Sequence, residues 1–97
     1  MELSDTVSLM TSDDWRERFK AEYLQTKIRC KKLESMIRKL NVVTFVYVPE
    51  SYRDILINQL HIMQTYLNVL KIRASIEDID VDSSWDEVND ESGKEKV

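Results

Sequence analysis

The stretch Trp15–Leu40, WRERFKAEYLQTKIRCKKLESMIRKL, decides the fold. Its apolar and small residues fall at Trp15, Phe19, Tyr23, Thr26, Cys30, Leu33, Ile37 and Leu40, separated by steps of four or three. Such steps keep returning to one side of an α-helix, which turns every 3.6 residues or so. The pattern predicts a single amphipathic helix over 12–40. Thr26 and Cys30 are small, so a partner helix can approach closely at mid-length. Thr11 is the expected N-cap, with Asp14 in the capping-box position. Ser12, Asp13 and Asp14 suit the positive end of the helix dipole, and Met10 and Trp15 are placed for a hydrophobic staple.

Beyond this helix, Asn41–Val48 reads NVVTFVYV, β-branched and aromatic enough for a short strand or an extended connector. Pro49 suits a first helical position, and Val48 before it is turned away from helical geometry. A second helix is predicted over 49–79, with apolar residues in three heptad rows. The first row is Ile55, Ile62, Val69 and Ile76; the second is Leu56, Met63 and Leu70; the third is Leu60, Leu67 and Ala74. One partner helix covers only a narrow stripe, and an isolated two-helix unit buries little surface. Both points favour self-association, although docking on a different host protein explains the breadth equally well.

The ends differ from this middle. Residues 1–10 are expected as a flexible N-terminus and 80–97 as a disordered acidic tail, in which Trp85 and Val88 are isolated apolar residues. From Thr11 to Leu40 nine basic residues face five acidic ones; from Glu77 to Val97 nine acids face only Lys94 and Lys96. The formal net charge of −4 thus conceals a basic first helix and an acidic tail. One glycine and one proline in 97 residues leave too little turn chemistry for many short strands. The expected architecture is all-α: a long antiparallel two-helix hairpin, oligomeric, with the acidic tail.

Much chemistry is disfavoured. A single cysteine, Cys30, precludes an internal disulfide and fits a reducing compartment. Met1–Met10 lacks a basic region followed by an apolar run, and no stretch reaches the roughly 18 apolar residues of a membrane span. A soluble, cytoplasmic protein is expected. One histidine and one cysteine do not make a metal site. Cys30 lies on the apolar seam and His61 on the polar side of the second helix, so no catalytic residues and no cofactor are expected. The only glycine, Gly93, leaves no phosphate-cradling loop.

What remains is a basic stripe on the first helix: Arg16, Lys20, Lys27, Lys31 and Arg38, bordered by Tyr23 and Leu24. One reading is a solvated face that keeps a coiled hairpin soluble. The other is an anion site, with Lys and Arg on phosphates and a neighbouring Tyr stacked on a base. Symmetry-related stripes would then converge between subunits. The second helix adds Arg53 and Arg73; Arg73 shares a row with Gln59 and Tyr66, where it is expected to be partly buried and polar-paired. Tyr66 is expected in the core or an interface.

Two blocks carry a family resemblance. Trp15-Arg16-Glu17-Arg18-Phe19-Lys20-Ala21-Glu22-Tyr23 and Leu33-Glu34-Ser35-Met36-Ile37 resemble the first half of small bacteriophage hairpin proteins, including some of crAss-like phages. Leu56-Ile57-Asn58-Gln59-Leu60, Met63, Tyr66-Leu67, Leu70 and Arg73 resemble that family's second half. The similarity spans about residues 13 to 80. More distantly, the hairpin resembles phage sponge proteins that sequester nucleotide second messengers, as in anti-CBASS and anti-Thoeris proteins. The resemblance implies a homo-oligomer in the cytoplasm of an infected bacterial host. It would bind a cyclic dinucleotide or a cyclic ADP-ribose type ligand between subunits, without turnover. The candidate ligand residues are Arg16, Lys20, Lys27 and Lys31 of the stripe with Tyr23 and Arg73, and of these Tyr23 and Lys27 are nearest to the sponges' ligand residues by type and helix position. The apolar connector and acidic tail depart from the compact sponges. The competing expectation is a helical inhibitor or adaptor docking on a host defence or replication complex through the second helix or the tail. Nucleic acid ranks last, because the tail would compete with the stripe and the chain is acidic overall.

Overall fold

The computed structural model describes residues 1–42 and 49–81, and among these every element is helical. A 3-10 turn, Leu3–Thr6, runs into the one-turn helix α1, Val7–Met10; two long helices follow, α2 at Trp15–Val42 and α3 at Glu50–Ile76. Contacts along α2 and α3 fix their direction. Arg53 donates to the Leu40 carbonyl at 3.1 Å near one end, and the Tyr66 hydroxyl bonds Glu22 further along. The Arg73 guanidinium lies 4.8 Å from the Phe19 ring centre at the other end. Rising numbers on α3 meet falling numbers on α2: the pair is an antiparallel hairpin. Arg53 also neutralises one of the last carbonyls of α2, at the negative end of its dipole.

The start of α2 differs from the sequence expectation. Asp14, not Thr11, is its cap: the Asp14 carboxylate accepts the Arg16 N–H at 2.9 Å, and its carbonyl accepts Glu17 and Arg18. Ser12 donates to Glu17 at 2.5 Å, and Arg18 holds the Ser12 carbonyl. Thr11 instead closes α1, bonding back to Val7. Any of these short polar residues can cap, and α1 had already claimed Thr11. Met10 and Trp15 both stay largely exposed, so the expected staple does not shield them. At α3 the shift is one residue: Pro49 caps rather than opens the helix, its carbonyl accepting Tyr52 and Arg53.

The ends of the chain are part of the packing. Residues 1–10, expected as a flexible N-terminus, form the 3-10 turn and α1 and lie against α2. Thr6 is fully buried yet satisfied: it donates to Leu3 at 2.7 Å and accepts from Gln25 of α2 at 2.8 Å. A second buried seam of α2, Ala21, Leu24 and Ile28, lies beside Gln25 on that helix.

The second helix ends at Ile76 rather than 79. Asp78 is left-handed at φ 57°, the Ile79 N–H bonds Ala74 at 2.8 Å, and the Asp78 N–H reaches Ser75 at 3.4 Å. This six-to-one and five-to-two pair is a Schellman motif. It reverses the chain so that Ile79 and Val81 join the core with Phe19, Tyr23, Leu24, Leu70 and Ala74. Met1, Leu9 and Leu67 pack against the same cluster. The acidic tail expected over 80–97 thus begins with a folded segment; its remainder lies outside the described residues, as do connector positions 43–48, while 41 and 42 continue α2.

The three rows of α3 divide. Leu56, Leu70 and Ala74 are buried, and Leu60, Met63 and Leu67 are half-buried. The first row stays in solvent: Ile55 is 64% exposed, Ile62 60%, Val69 45% and Ile76 78%. No helix among the described residues is long and apolar enough to cross a membrane.

Candidate anion-binding face

The basic residues of α2 sit between its two packed seams, one towards α3 and one containing Leu24 and Ile28. That position follows from their four- and seven-residue spacing, which places Arg16, Lys20, Lys27 and Lys31 within one narrow sector. The structure gives them unequal exposure. Arg16 is exposed, its guanidinium 5.2 Å from the Trp15 ring centre. Lys20, Lys27 and Lys31 are half-buried. Lys27 is held tightly: its ammonium donates to the Tyr23 hydroxyl at 3.2 Å and lies 5.3 Å from the Tyr23 ring centre.

Tyr23 itself is fully buried, with 0% exposure, in the cluster that gathers both ends of the chain. Its ring faces are therefore taken by protein, and it positions Lys27 rather than offering a stacking surface in the single chain. Arg73, expected to be partly buried and polar-paired, is exposed and rests on Phe19. Cation–π contacts of this kind hold a guanidinium in place while leaving its outer N–H groups available.

Tyr66, expected in core or interface, is 43% exposed. Its hydrogen bond to Glu22 pushes its pKa above the ordinary tyrosine range; burial and the Glu22 charge add to the rise, and Arg73 opposes it. Tyr66, Glu22, Arg73 and Phe19 thus form one patch across α2 and α3. The patch escaped the sequence reading because Glu22 lies outside the apolar seam, although the shared heptad row of Tyr66 and Arg73 signalled half of it. Trp15, 44% exposed beside Arg16, is another aromatic surface.

Cys30 is buried, and its pKa is raised by that burial and then by the Glu34 carboxylate. The thiol is held neutral, the opposite of what a nucleophile requires. His61 lies instead on α3 beside Gln64, Thr65 and Asn68 around an open recess. Among the described residues no group of three or more His, Cys, Asp or Glu side chains is placed to hold a metal.

An antiparallel helical hairpin carrying cations between two packed seams is the class of protein this geometry defines. The pattern of the Sequestin family matches residues 13–76, from the residue before the cap of α2 to the last residue of α3. The chain belongs to the Sequestin family. The family name denotes sequestration of a molecule. No curated protein and no solved structure matches the chain.

Proposed function

We propose that this chain is a phage-encoded, non-catalytic protein that sequesters a nucleotide second messenger of bacterial immunity, of the cyclic dinucleotide or cyclic ADP-ribose type. The observation that carries the reading is the set of cations between the packed seams of α2 in a Sequestin chain, joined by Arg73 from α3. Arg16, Lys20, Lys27 and Lys31 neutralise phosphates; Arg73, fixed over Phe19, adds a planar donor. Tyr23 acts through Lys27, and the exposed rings of Trp15 and Tyr66 supply base stacking in its place.

The test is native mass spectrometry of the purified full chain with cyclic dinucleotides and cyclic ADP-ribose isomers, alongside thermal shift. A retained ligand that is released chemically intact on denaturation supports sequestration, and its loss in Lys20→Ala/Lys27→Ala places it on this face. If no nucleotide is retained and no melting shift occurs, the reading fails; release of a cleaved ligand replaces sequestration with hydrolysis.

A further inference from the structure

One flank of α3 carries a pattern that the hairpin leaves largely exposed. Ile55, Ile62, Val69 and Ile76 recur every seven residues, all substantially exposed. Between them stand Tyr52, Gln59, Tyr66 and Arg73, also spaced by seven. Together they form an unbroken three–four alternation from Tyr52 to Ile76, about 36 Å of helix at 1.5 Å per residue. A stripe with a strict seven-residue period does not drift around its helix when it faces a second helix of the same period. The inward rows already pack on α2, which reaches the stripe only at its edge, through Glu22 on Tyr66 and Phe19 under Arg73, and does not cover it. The helix in this molecule with the matching period and length is α3 of another copy.

Charge sets the orientation. Glu50 and Asp54 lie at the start of α3, Lys71 and Arg73 near its end. A parallel pair would set Arg73 against its own equivalent across the seam, whereas an antiparallel pair brings Arg73 of each helix beside Asp54 of the other. We infer that two copies of this chain associate through an antiparallel α3–α3 seam, with the two-fold axis passing between Ile62 and Tyr66. Each Arg73 then faces the Ile55 level of the other copy, and the two Tyr66 rings flank the axis.

The seam is tested on the full chain by sedimentation and light scattering. Wild type is expected at twice the 11.5 kDa chain mass or an even multiple, and Ile62→Glu/Val69→Glu at a lower mass with unchanged helical circular dichroism. Both residues are exposed in the single chain, so their replacement leaves the core intact. Orientation is read by oxidative cross-linking in a Cys30→Ala background. Ile55→Cys/Arg73→Cys is expected to form a covalent dimer and Ile55→Cys alone is not, since antiparallel packing holds the two Ile55 sites about 27 Å apart. A monomeric wild type, an assembly untouched by Ile62→Glu/Val69→Glu, or ready cross-linking of Ile55→Cys alone would each overturn the proposal. A monomer would leave the face to a different protein. Tyr66 and Arg73 belong both to this seam and to the proposed nucleotide site, but none of these readouts involves nucleotide, so a failure of the seam and a failure of the sequestering function are told apart.

Discussion

Val69 and Leu70 are neighbours on α3 with opposite fates: Leu70 is fully buried against α2, and Val69 remains 45% exposed. The same contrast runs the length of the helix, between rows of nearly equal hydrophobicity. Hydrophobicity alone therefore does not say which face a helix buries within its own chain. The inward face is selected by what α2 offers opposite it, which is Phe19, Tyr23 and Leu24 near the open end of the hairpin. Both faces repeat every seven residues, so periodicity does not separate them either; it leaves the outward face as regular a packing surface as the inward one.

The contrast is broken most directly by truncation on either side. Leu70→Ala is expected to cost about 2–5 kcal/mol in denaturant unfolding, the range for emptying a packed site. Val69→Ala, measured where the chain is monomeric, should cost under about 1 kcal/mol; equal losses would mean that the two faces are not distinct. Next in size, Ile79→Ala tests whether the inner face really extends past the helix end, with an expected loss of about 2 kcal/mol. An unchanged unfolding midpoint would show that the Schellman turn contributes nothing to the core. Asp78→Gly works in the other direction. A left-handed residue with a Cβ is strained, and glycine there should raise stability by about 0.5–1 kcal/mol.

The smallest expected effect is a pH dependence. Because the folded state holds the Cys30 proton more tightly than the unfolded chain, stability is constant below the ordinary thiol pKa and falls as pH rises through and above it. Tyr66, also raised, adds a decline in the same direction at higher pH. Thermal melts across alkaline pH should show this slope, with its lower-pH part reduced in Cys30→Val. A slope unaltered by Cys30→Val would mean the thiol contributes none of it.

The two long helices were legible in the sequence because α2 repeats its apolar spacing for many turns and Pro49 marks the entry to α3. The N-terminal packing was not. Residues 1–10 are too short to show periodicity, and their anchor, Thr6 bonded to Gln25, is a polar pair separated by nineteen positions. The turn at Ile79 and Val81 was hidden for another reason: Ile79 passed for the last residue of the second helix, and the acidic neighbours of Val81 made it look like part of a solvated tail. The stripe of cations was legible as a spacing, and so was the place of Tyr23 on the apolar seam, but its complete burial depends on residues from both ends of the chain.

That shared burial has a consequence for the boundaries of the folding unit. Met1 and Leu9 from the beginning of the chain, and Ile79 and Val81 from beyond α3, meet on the same Phe19–Tyr23–Leu24 surface. The segment 13–76 that defines the family is therefore an open clasp whose two closing pieces lie outside it. A fragment cut to the family boundaries would keep its helical pattern and lose its cooperativity.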